Sequence, residues 1–567
     1  METGPDTLDR EWWKEAVVYQ IYPRSFNDSD GDGVGDIPGI TERVDYLDDL
    51  GVDVVWLCPV YDSPQADMGY DIRDYRAIDD QYGDMADWEA LLEALHARGI
   101  RLVMDLVVNH TSNEHEWFRR SRQREAGYED YYHRVDGSPE EPPNNWTSFF
   151  GGSAWSYDDV RGQWYLHLFD EKQPGLNWRN PDVRADVKAM IRWWLEKGID
   201  GFRMDVINLL SKAEGFPDGD PDPEREGLPI GNEHFVNGPR IHEYLRELHD
   251  DVFSGYDVMT VGEMVALTVE EANEFLGSDG DGLNMAFHFD HVSIDHGDAG
   301  RWSVGDWELT DLEGIVERWQ TGLEDTAWDA LYWENHDQPR SVSRFGDVED
   351  YHAESATLLA TFLMAHRGTP YVYQGEEIGM TNADFESLEE CRDVATINRV
   401  EMALDAGEIS SYEEIRDVVN YQSRDNGRTP MQWSDAANVG FTDGEPWIKV
   451  NENYPDINVE RAVADDSSVW HYYRALIGLR HEEDVLVYGE YELLLPENEQ
   501  VYACVRTLGE ERVLVVLNWT DRGKEVDLSD DVTDGGASVL IANYDEVGTD
   551  LGALDLRPYE ARVYRLP

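Results

Sequence analysis

The sequence predicts an α/β protein: a (β/α)8 TIM barrel with a domain inserted after the third strand and an antiparallel β domain at the C-terminal end. Three observations carry that prediction. Apolar runs of strand length alternate with amphipathic runs of helix length, the pattern of parallel βα units, and eight such pairs can be counted. Carboxylates and histidines fall just past the C-terminal ends of the apolar runs, where a barrel of this kind keeps its active site. Near residue 485 the pattern changes to short alternating runs, which read as antiparallel strands.

The first strand candidate is Ala16 to Tyr22, followed by a helix near Ile40 to Leu50. The second is Val52 to Leu57, with a helix from Trp88 to Ala97. The third, Ile100 to Val108, is followed by a long irregular stretch, and helix Val183 to Lys197 leads into the fourth, Gly201 to Val206. Helix Ile241 to Phe253 precedes a fifth strand ending at Glu263; the sixth is Leu283 to Phe289, then helix Leu312 to Gln320. The seventh ends at Asn335, helix Glu354 to Ala365 leads to the eighth, Pro370 to Tyr373, and Val469 to Arg480 reads as the closing helix. Four further strands are expected at Val501 to Val505, Val513 to Leu517, Ser538 to Ile541 and Ala561 to Leu566. The predicted domains are a barrel at 1–110 and 179–484, an insertion at 111–178 and a β domain at 485–567.

Acids outnumber bases 119 to 46, a formal charge of −73. Such self-repulsion opposes compaction unless salt screens it, and the Debye length falls to roughly 3 Å at 1 M. The acids are spread along the chain and aromatics make up 11% of it, unlike a disordered acidic segment. We therefore expect a folded protein of an extreme halophile, working in a salty cytoplasm; an acidic enzyme of an ordinary cytoplasm is the alternative. The charge argues against nucleic acid or an anionic membrane as partner. Cys58, Cys391 and Cys504 are odd in number and widely spaced, as expected of reduced thiols. Met1 to Glu15 lacks the apolar stretch of a secretory signal, and no apolar run approaches the ~20 residues of a membrane span.

The most informative stretch is Gly201-Phe202-Arg203-Met204-Asp205, in a run that reads as a buried strand. Side chains alternate along a strand, so Arg203 and Asp205 share a side, and a guanidinium beside a carboxylate favours its charged form. That suits a carboxylate nucleophile. Glu263 and Asp337 end similar runs, and three carboxylates at three strand ends suggest acid, nucleophile and stabiliser in one pocket.

With Asp105-Leu106-Val107-Val108-Asn109-His110, Gly262-Glu263-Met264 and Glu334-Asn335-His336-Asp337-Gln338-Pro339-Arg340 added, the chain resembles the α-amylase family, family 13 of the glycoside hydrolases. Within it the chain looks like the oligo-1,6-glucosidase and α-glucosidase branch. The resemblance implies Asp205 as nucleophile, Glu263 as general acid/base and Asp337 as transition-state stabiliser. A retaining glycosidase needs one of its two carboxyls ionised and one protonated. Arg203 is expected to keep Asp205 charged, and Glu263, with no cation nearby in sequence, to rise in pKa.

His110 and His336 resemble the family's histidines that bind sugar hydroxyls at the cleaved residue. Asp67 and Tyr70 match the exo-acting branch, where the Asp grips the 4-hydroxyl of the terminal glucose and the Tyr offers a stacking face. Arg428 looks like the partner of that Asp; Arg424 is the competing assignment. Trp56, Phe150 and Trp178 are candidate faces for sugar rings.

The loop Asp28-Ser29-Asp30-Gly31-Asp32-Gly33-Val34-Gly35-Asp36 sets acids at alternate positions around glycines, as hard cations require. Gly39 stands where an EF-hand carries its bidentate Glu. The loop instead resembles a structural Ca2+ loop of this branch, with Asp28, Asp30, Asp32 and Asp36 by side chain and Val34 by carbonyl. Mg2+ and a solvated acidic turn are the alternatives.

Val206, after the nucleophile, resembles the residue with which this branch favours α-1,6 links. Gly175 departs from the branch pattern, which carries Asp there, and mixed linkage activity remains open. The function expected is a retaining, exo-acting α-glucosidase, α-1,6 slightly favoured over α-1,4. The rivals are a glucosyl transferase or isomerase using the same intermediate and a catalytically dead binding subunit.

Overall fold

A computed structural model of the protein describes residues 8–221, 229–277, 282–323, 327–529, 532 and 536–567. Met1 to Thr7, part of the acidic start, therefore lie outside the described residues. Eight parallel strands form the central sheet: β1 (Val18–Ile21), β2 (Val54–Leu57), β3 (Arg101–Leu106), β4 (Gly201–Met204), β5 (Met259–Glu263), β6 (Met285–Phe287), β7 (Ala330–Tyr332) and β8 (Thr369–Tyr373). They are ordered β6-β5-β4-β3-β2-β1-β8-β7, and a parallel bridge from Ala286 to Asp329 joins the two remaining edges. The strands read as unbroken apolar runs because both faces are covered. On β2, Val54 and Trp56 point into the barrel interior while Val55 and Leu57 join the layer under the helices.

Among the helices are α1 (Val44–Leu50), α2 (Met85–His96), α3 (Pro181–Lys197), α4 (Ile241–Asp251), α5 (Val269–Phe275), α6 (Leu309–Gly322), α7 (His352–Ala365), α8 (Val394–Ala406) and α9 (Val469–Glu482). Their ends follow local rules. Asn180 caps α3, Pro181 takes its first position and Gly198 ends it in a left-handed conformation. Asp84 and Asp87 form a capping box at α2. The helix expected near Ile40 to Leu50 is broken in two, Ile37–Glu42 and Val44–Leu50. β7 stops at Tyr332, short of the expected Asn335. Trp333 turns away to bond the Leu359 carbonyl at 3.0 Å, and the Asp337 N–H donates to Asn335 Oδ1 at 2.7 Å, so the chain here is a turn.

Between β3 and α3 the chain builds a small antiparallel sheet from Arg134–Val135, Gln163–Leu166 and Trp155–Asp158. Its apolar cluster (Trp155, Trp164, Leu166, Leu168) includes Val206 and Leu209 of the barrel. At the C-terminal end β9 (Glu490–Leu494), β10 (Val501–Leu508), β11 (Glu511–Asn518), β12 (Ser538–Ala542) and β13 (Ala561–Leu566) form an antiparallel sheet ordered β9-β10-β11-β13-β12. β9 and a ribbon of Lys524–Val526 with Leu554–Leu556 go beyond the strands read from sequence. α6 packs on β9 and β10. On α6 Glu313 is 1% exposed, with neither carboxylate oxygen partnered. Burial, and then the neighbouring Glu317, push its pKa up to about 8.

Cys58, Cys391 and Cys504 are buried free thiols. No helix among the described residues is long and apolar enough to cross a membrane.

Candidate active site

The register of β3, β4 and β5 assembles the centre of the site. Asp105 on β3 lies beside Arg203 on β4, and Met204 lies beside Gly262 on β5. One step further along that register, Asp205 comes beside Glu263. The two strands approach closely because residue 201 is glycine: a Cβ there would sit 2.1 Å from the Met259 carbonyl oxygen.

Arg203 is buried under this cluster, and its guanidinium reaches Asp105 at 2.6 Å, Asp205 at 2.9 Å and Glu263 at 2.7 Å. Two expectations are corrected here. Glu263 has a cation against it, supplied from sixty residues away across the strand register. Asp205 is not lowered: burial pushes its pKa well up, Arg203 pulls it down, and the Glu263 and Asp105 carboxylates push it up again. One guanidinium shared among three carboxylates leaves the cluster with an excess of negative charge, which disfavours ionising all three at once. A proton shared between neighbouring carboxyls lets one act as acid while the other attacks.

Val206 follows directly, with φ 36° and ψ 45°. A β-branched residue in the left-handed region is a true outlier, sustained only where its surroundings fix it. Its side chain is locked in the apolar cluster of the insertion, and its N–H donates to Glu263 Oε2 at 3.2 Å.

Asp337 sits in the turn after β7 with a third of its side chain open to the pocket. Burial raises its pKa, but Arg424 and Arg428 outweigh burial and hold it well below the usual carboxylate range. Gln20 donates to His336 Nδ1 at 2.8 Å, which leaves the hydrogen on Nε2, 2.7 Å from the Tyr70 hydroxyl. Tyr70 stacks on that imidazole at 5.3 Å between centroids. His110 lies across the pocket, with Asn109 on Nδ1 at 3.1 Å and the Tyr70 carbonyl 3.2 Å from Nε2. Burial lowers the pKa of both histidines to about 3, so both are neutral.

Asp67 is buried on the Asp337 side, and burial pushes its pKa up to about 6 against the pull of Arg424 and Arg428. The cation nearest its carboxylate is Arg424, at 3.8 Å. Arg428, the expected partner, instead bonds Asp337 at 2.7 Å and the His336 carbonyl at 3.0 Å. Both arginines lie on one tight helical turn, so only the fold distinguishes them.

Several residues at the site were not singled out in the sequence. Gln173 donates to Asp67 at 2.9 Å and lies 3.2 Å from His110 Nε2. Asp393 grips Arg424. Buried Lys212, lowered to about 7 by burial, donates to Asn109 at 2.7 Å. Gly175, two residues further on, departs from the branch pattern, but nothing in the sequence marks Gln173 itself. Of the candidate stacking rings, Trp178 is buried against the Val108 carbonyl and Trp56 bonds Asp105 within the barrel. Phe150 alone among them lies at the pocket rim, with Arg424 over its ring at 5.0 Å.

In the loop after β1, carboxylate oxygens of Asp28, Asp30 and Asp36 lie within 4.8 Å of one another. Asp32 stands outside this group, its Oδ1 turned back onto the Val34 N–H at 2.8 Å. The loop is pinned to 441–447: Thr442 donates to Asp28, the Asp28 N–H to the Phe441 carbonyl and the Trp447 N–H to the Gly33 carbonyl. Gly33 has φ +95°, and a Cβ there would lie 1.8 Å from the Glu445 carbonyl oxygen. Three convergent carboxylates are a donor set that fits a hard divalent cation.

Residues 20–489 match the family model of the alpha amylase catalytic domain, and 491–563 that of the maltogenic amylase C-terminal domain. Oligo-1,6-glucosidase of Parageobacillus thermoglucosidasius is 51% identical over 562 residues, covering 99% of this chain and 100% of that protein. Among solved structures, trehalose-6-phosphate hydrolase of Bacillus licheniformis is similar with TM-score 0.92 and 46% identity, covering 98% of this chain and 100% of that one. Isomaltulose synthase of a Klebsiella species is similar with TM-score 0.94 and 42% identity, covering 99% and 100%.

Proposed function

The chain belongs to the α-amylase family and is a glycoside hydrolase, and we propose that it is a retaining, exo-acting α-glucosidase of short gluco-oligosaccharides that favours α-1,6 links over α-1,4. The carrying observation is that Asp205, just past the end of β4, and Glu263, at the end of β5, share the Arg203 guanidinium. Parallel strands lie ~4.8 Å apart, close to the ~5 to 5.5 Å between carboxyls that a retaining displacement requires.

In this reading Glu263 gives its proton to the glycosidic oxygen as Asp205 attacks the anomeric carbon. The aglycone leaves as an alcohol, and glucose remains as an ester of Asp205. Glu263, now a carboxylate, takes a proton from water, which displaces Asp205 and releases glucose with its configuration retained. Asp337, His110 and His336 hold hydroxyls of the distorted ring. Asp67, Gln173 and Arg424 close the far end of the pocket, so a single terminal glucose enters. Arg203, Arg424 and Arg428 are already committed to carboxylates, and the overall charge is −73, which together favour a neutral substrate over a phosphorylated one.

Val206 and the oligo-1,6-glucosidase relatives support α-1,6; Gly175 is the departure to watch. The test is kcat/KM on isomaltose and maltose in molar KCl, with Glu263→Gln as the inactive control. Faster cleavage of isomaltose upholds the reading, and faster cleavage of maltose makes the protein an α-1,4-glucosidase. The isomaltulose synthase likeness favours a second reading, transfer of glucose to a sugar acceptor through the same ester. Incubation with sucrose separates the two: hydrolysis gives equal glucose and fructose, isomerisation a new disaccharide. The intact carboxylate trio opposes a dead binding subunit.

We also propose Ca2+ at Asp28, Asp30 and Asp36, where it would tie the first βα loop to 441–447, with Mg2+ as the alternative ion. A salty cytoplasm is the setting we propose, supported by the acidic surface and three reduced thiols.

A further inference from the structure

Asp393, 1% exposed, sits at the N-terminal end of α8. Its carboxylate accepts the N–H groups of Ala395 at 3.2 Å and Thr396 at 3.1 Å and the Thr396 hydroxyl at 2.7 Å, capping the helix. Its Oδ1 also accepts both Nε, at 2.8 Å, and Nη2 of Arg424. Asp425 in turn fixes the backbone, accepting the N–H of Arg392 at 2.7 Å and of Asp393 at 3.0 Å.

Held from one side in this way, Arg424 reaches Asp337 at 3.2 Å but stays 3.8 Å from Asp67. That gap is too long for a direct hydrogen bond. The same helix also seats Phe150. Asn398, on the second turn of α8, donates to the Phe150 carbonyl at 3.1 Å, and the Phe150 ring lies over Arg424. Without the Asp393 contact the flexible Arg424 side chain would be free to close the remaining gap onto the Asp67 carboxylate.

We propose that Asp393 is a positioning residue of the terminal-glucose site. It holds Arg424 off Asp67, so that a sugar hydroxyl fits between the guanidinium and that carboxylate, and through α8 it ties this spacing to the Phe150 ring beside Arg424. The inference rests on Asp67 and Arg424 gripping the terminal glucose.

Asp393→Asn separates the two duties, because Asn caps helices as well as Asp but carries no charge. In the full chain, in molar KCl, the inhibition constant of free glucose rises about tenfold or more. KM for isomaltose, maltose and p-nitrophenyl α-glucoside rises by a common factor, and the linkage preference stays. Thr396→Val is the comparator: it weakens the cap without touching Arg424, so Tm falls and the glucose constant stays. Should the Asn variant not fold, Asp393→Ser keeps a capping oxygen and repeats the test. A lowered Tm with unchanged glucose inhibition overturns the proposal. Asp67→Asn locates the failure: if it weakens glucose binding while Asp393→Asn does not, only the role of Asp393 falls. If neither does, the terminal-glucose reading falls as well.

Discussion

Replacing Glu313 with glutamine raises the stability of the protein, and the gain grows with pH. The wild-type carboxyl has no hydrogen-bond partner on either oxygen and is buried against the C-terminal sheet. Its pKa is raised from 4.5 to about 8, by burial first and Glu317 second. Below pH 4.5 the group is protonated in both folded and unfolded chains and costs nothing extra. From there upward the unfolded chain releases the proton and the folded chain keeps it, so stability falls with rising pH until the folded group ionises too. At about 1.4 kcal/mol per pH unit the loss amounts to about 5 kcal/mol at pH 8 and above. An unfolding entropy of about 2.1 cal/mol/K per residue turns that into about 4 °C in Tm for a chain of 567 residues. Glutamine has the shape of the protonated acid and cannot ionise. The assay is thermal unfolding of both proteins in molar KCl from pH 5 to pH 9. The two Tm values nearly coincide at pH 5 and part by a few degrees at pH 8, the variant higher. A constant difference across that range, or a less stable variant at pH 8, refutes the assignment of an uncompensated buried acid.

Glu263→Gln lowers kcat on isomaltose by about 10²- to 10⁴-fold. On p-nitrophenyl α-glucoside, whose leaving group needs no proton, the first step survives; equal losses on both substrates would remove Glu263 from the acid role. Val206→Ala lowers the isomaltose-to-maltose ratio of kcat/KM, within the about 10- to 200-fold that one pocket contact is worth; an unmoved ratio clears Val206 of linkage selection. Chelation with EDTA lowers Tm while the initial rate at 25 °C holds, and Asp30→Asn abolishes the chelator's effect; equal Tm with and without EDTA argues against a bound cation. Dilution from 2 M to 0.1 M KCl lowers Tm, because the Debye length grows to about 10 Å and the net charge of −73 repels itself. A Tm indifferent to salt speaks against a halophilic surface.

The barrel was legible because parallel strands buried on both faces write themselves as apolar runs, and because catalytic acids sit at their ends. Asp205, Glu263 and Asp337 could be named for that reason. What failed to show were relations across strands. Nothing near Glu263 in sequence reveals Arg203, and burial, with the Glu263 and Asp105 carboxylates beside it, reversed the expected direction for Asp205 against the pull of Arg203. Arg424 and Arg428 are four residues apart and chemically alike, so their partners depend on how one short helix is rotated. Gln173 and Asp393 carried no local signal, since each works through a partner over thirty residues away or more. The acidic loop was legible as a candidate metal loop from its alternating acids, and Asp28, Asp30 and Asp32 each accept the N–H two residues on, which folds the loop tightly.

The acidic loop after β1 is buttoned to a segment 414 positions later, where the Thr442 hydroxyl meets Asp28. A ribosome adding about 5 to 20 residues per second needs on the order of 20 to 80 s to bridge that separation. Throughout that interval the nascent loop has neither its anchor nor the backbone carbonyl against which Gly33 is fitted. The first turn of the barrel is thus among the first parts to be synthesised and among the last to mature. A polypeptide stalled or truncated before residue 442 would leave that turn unfinished, whatever the state of the strands between.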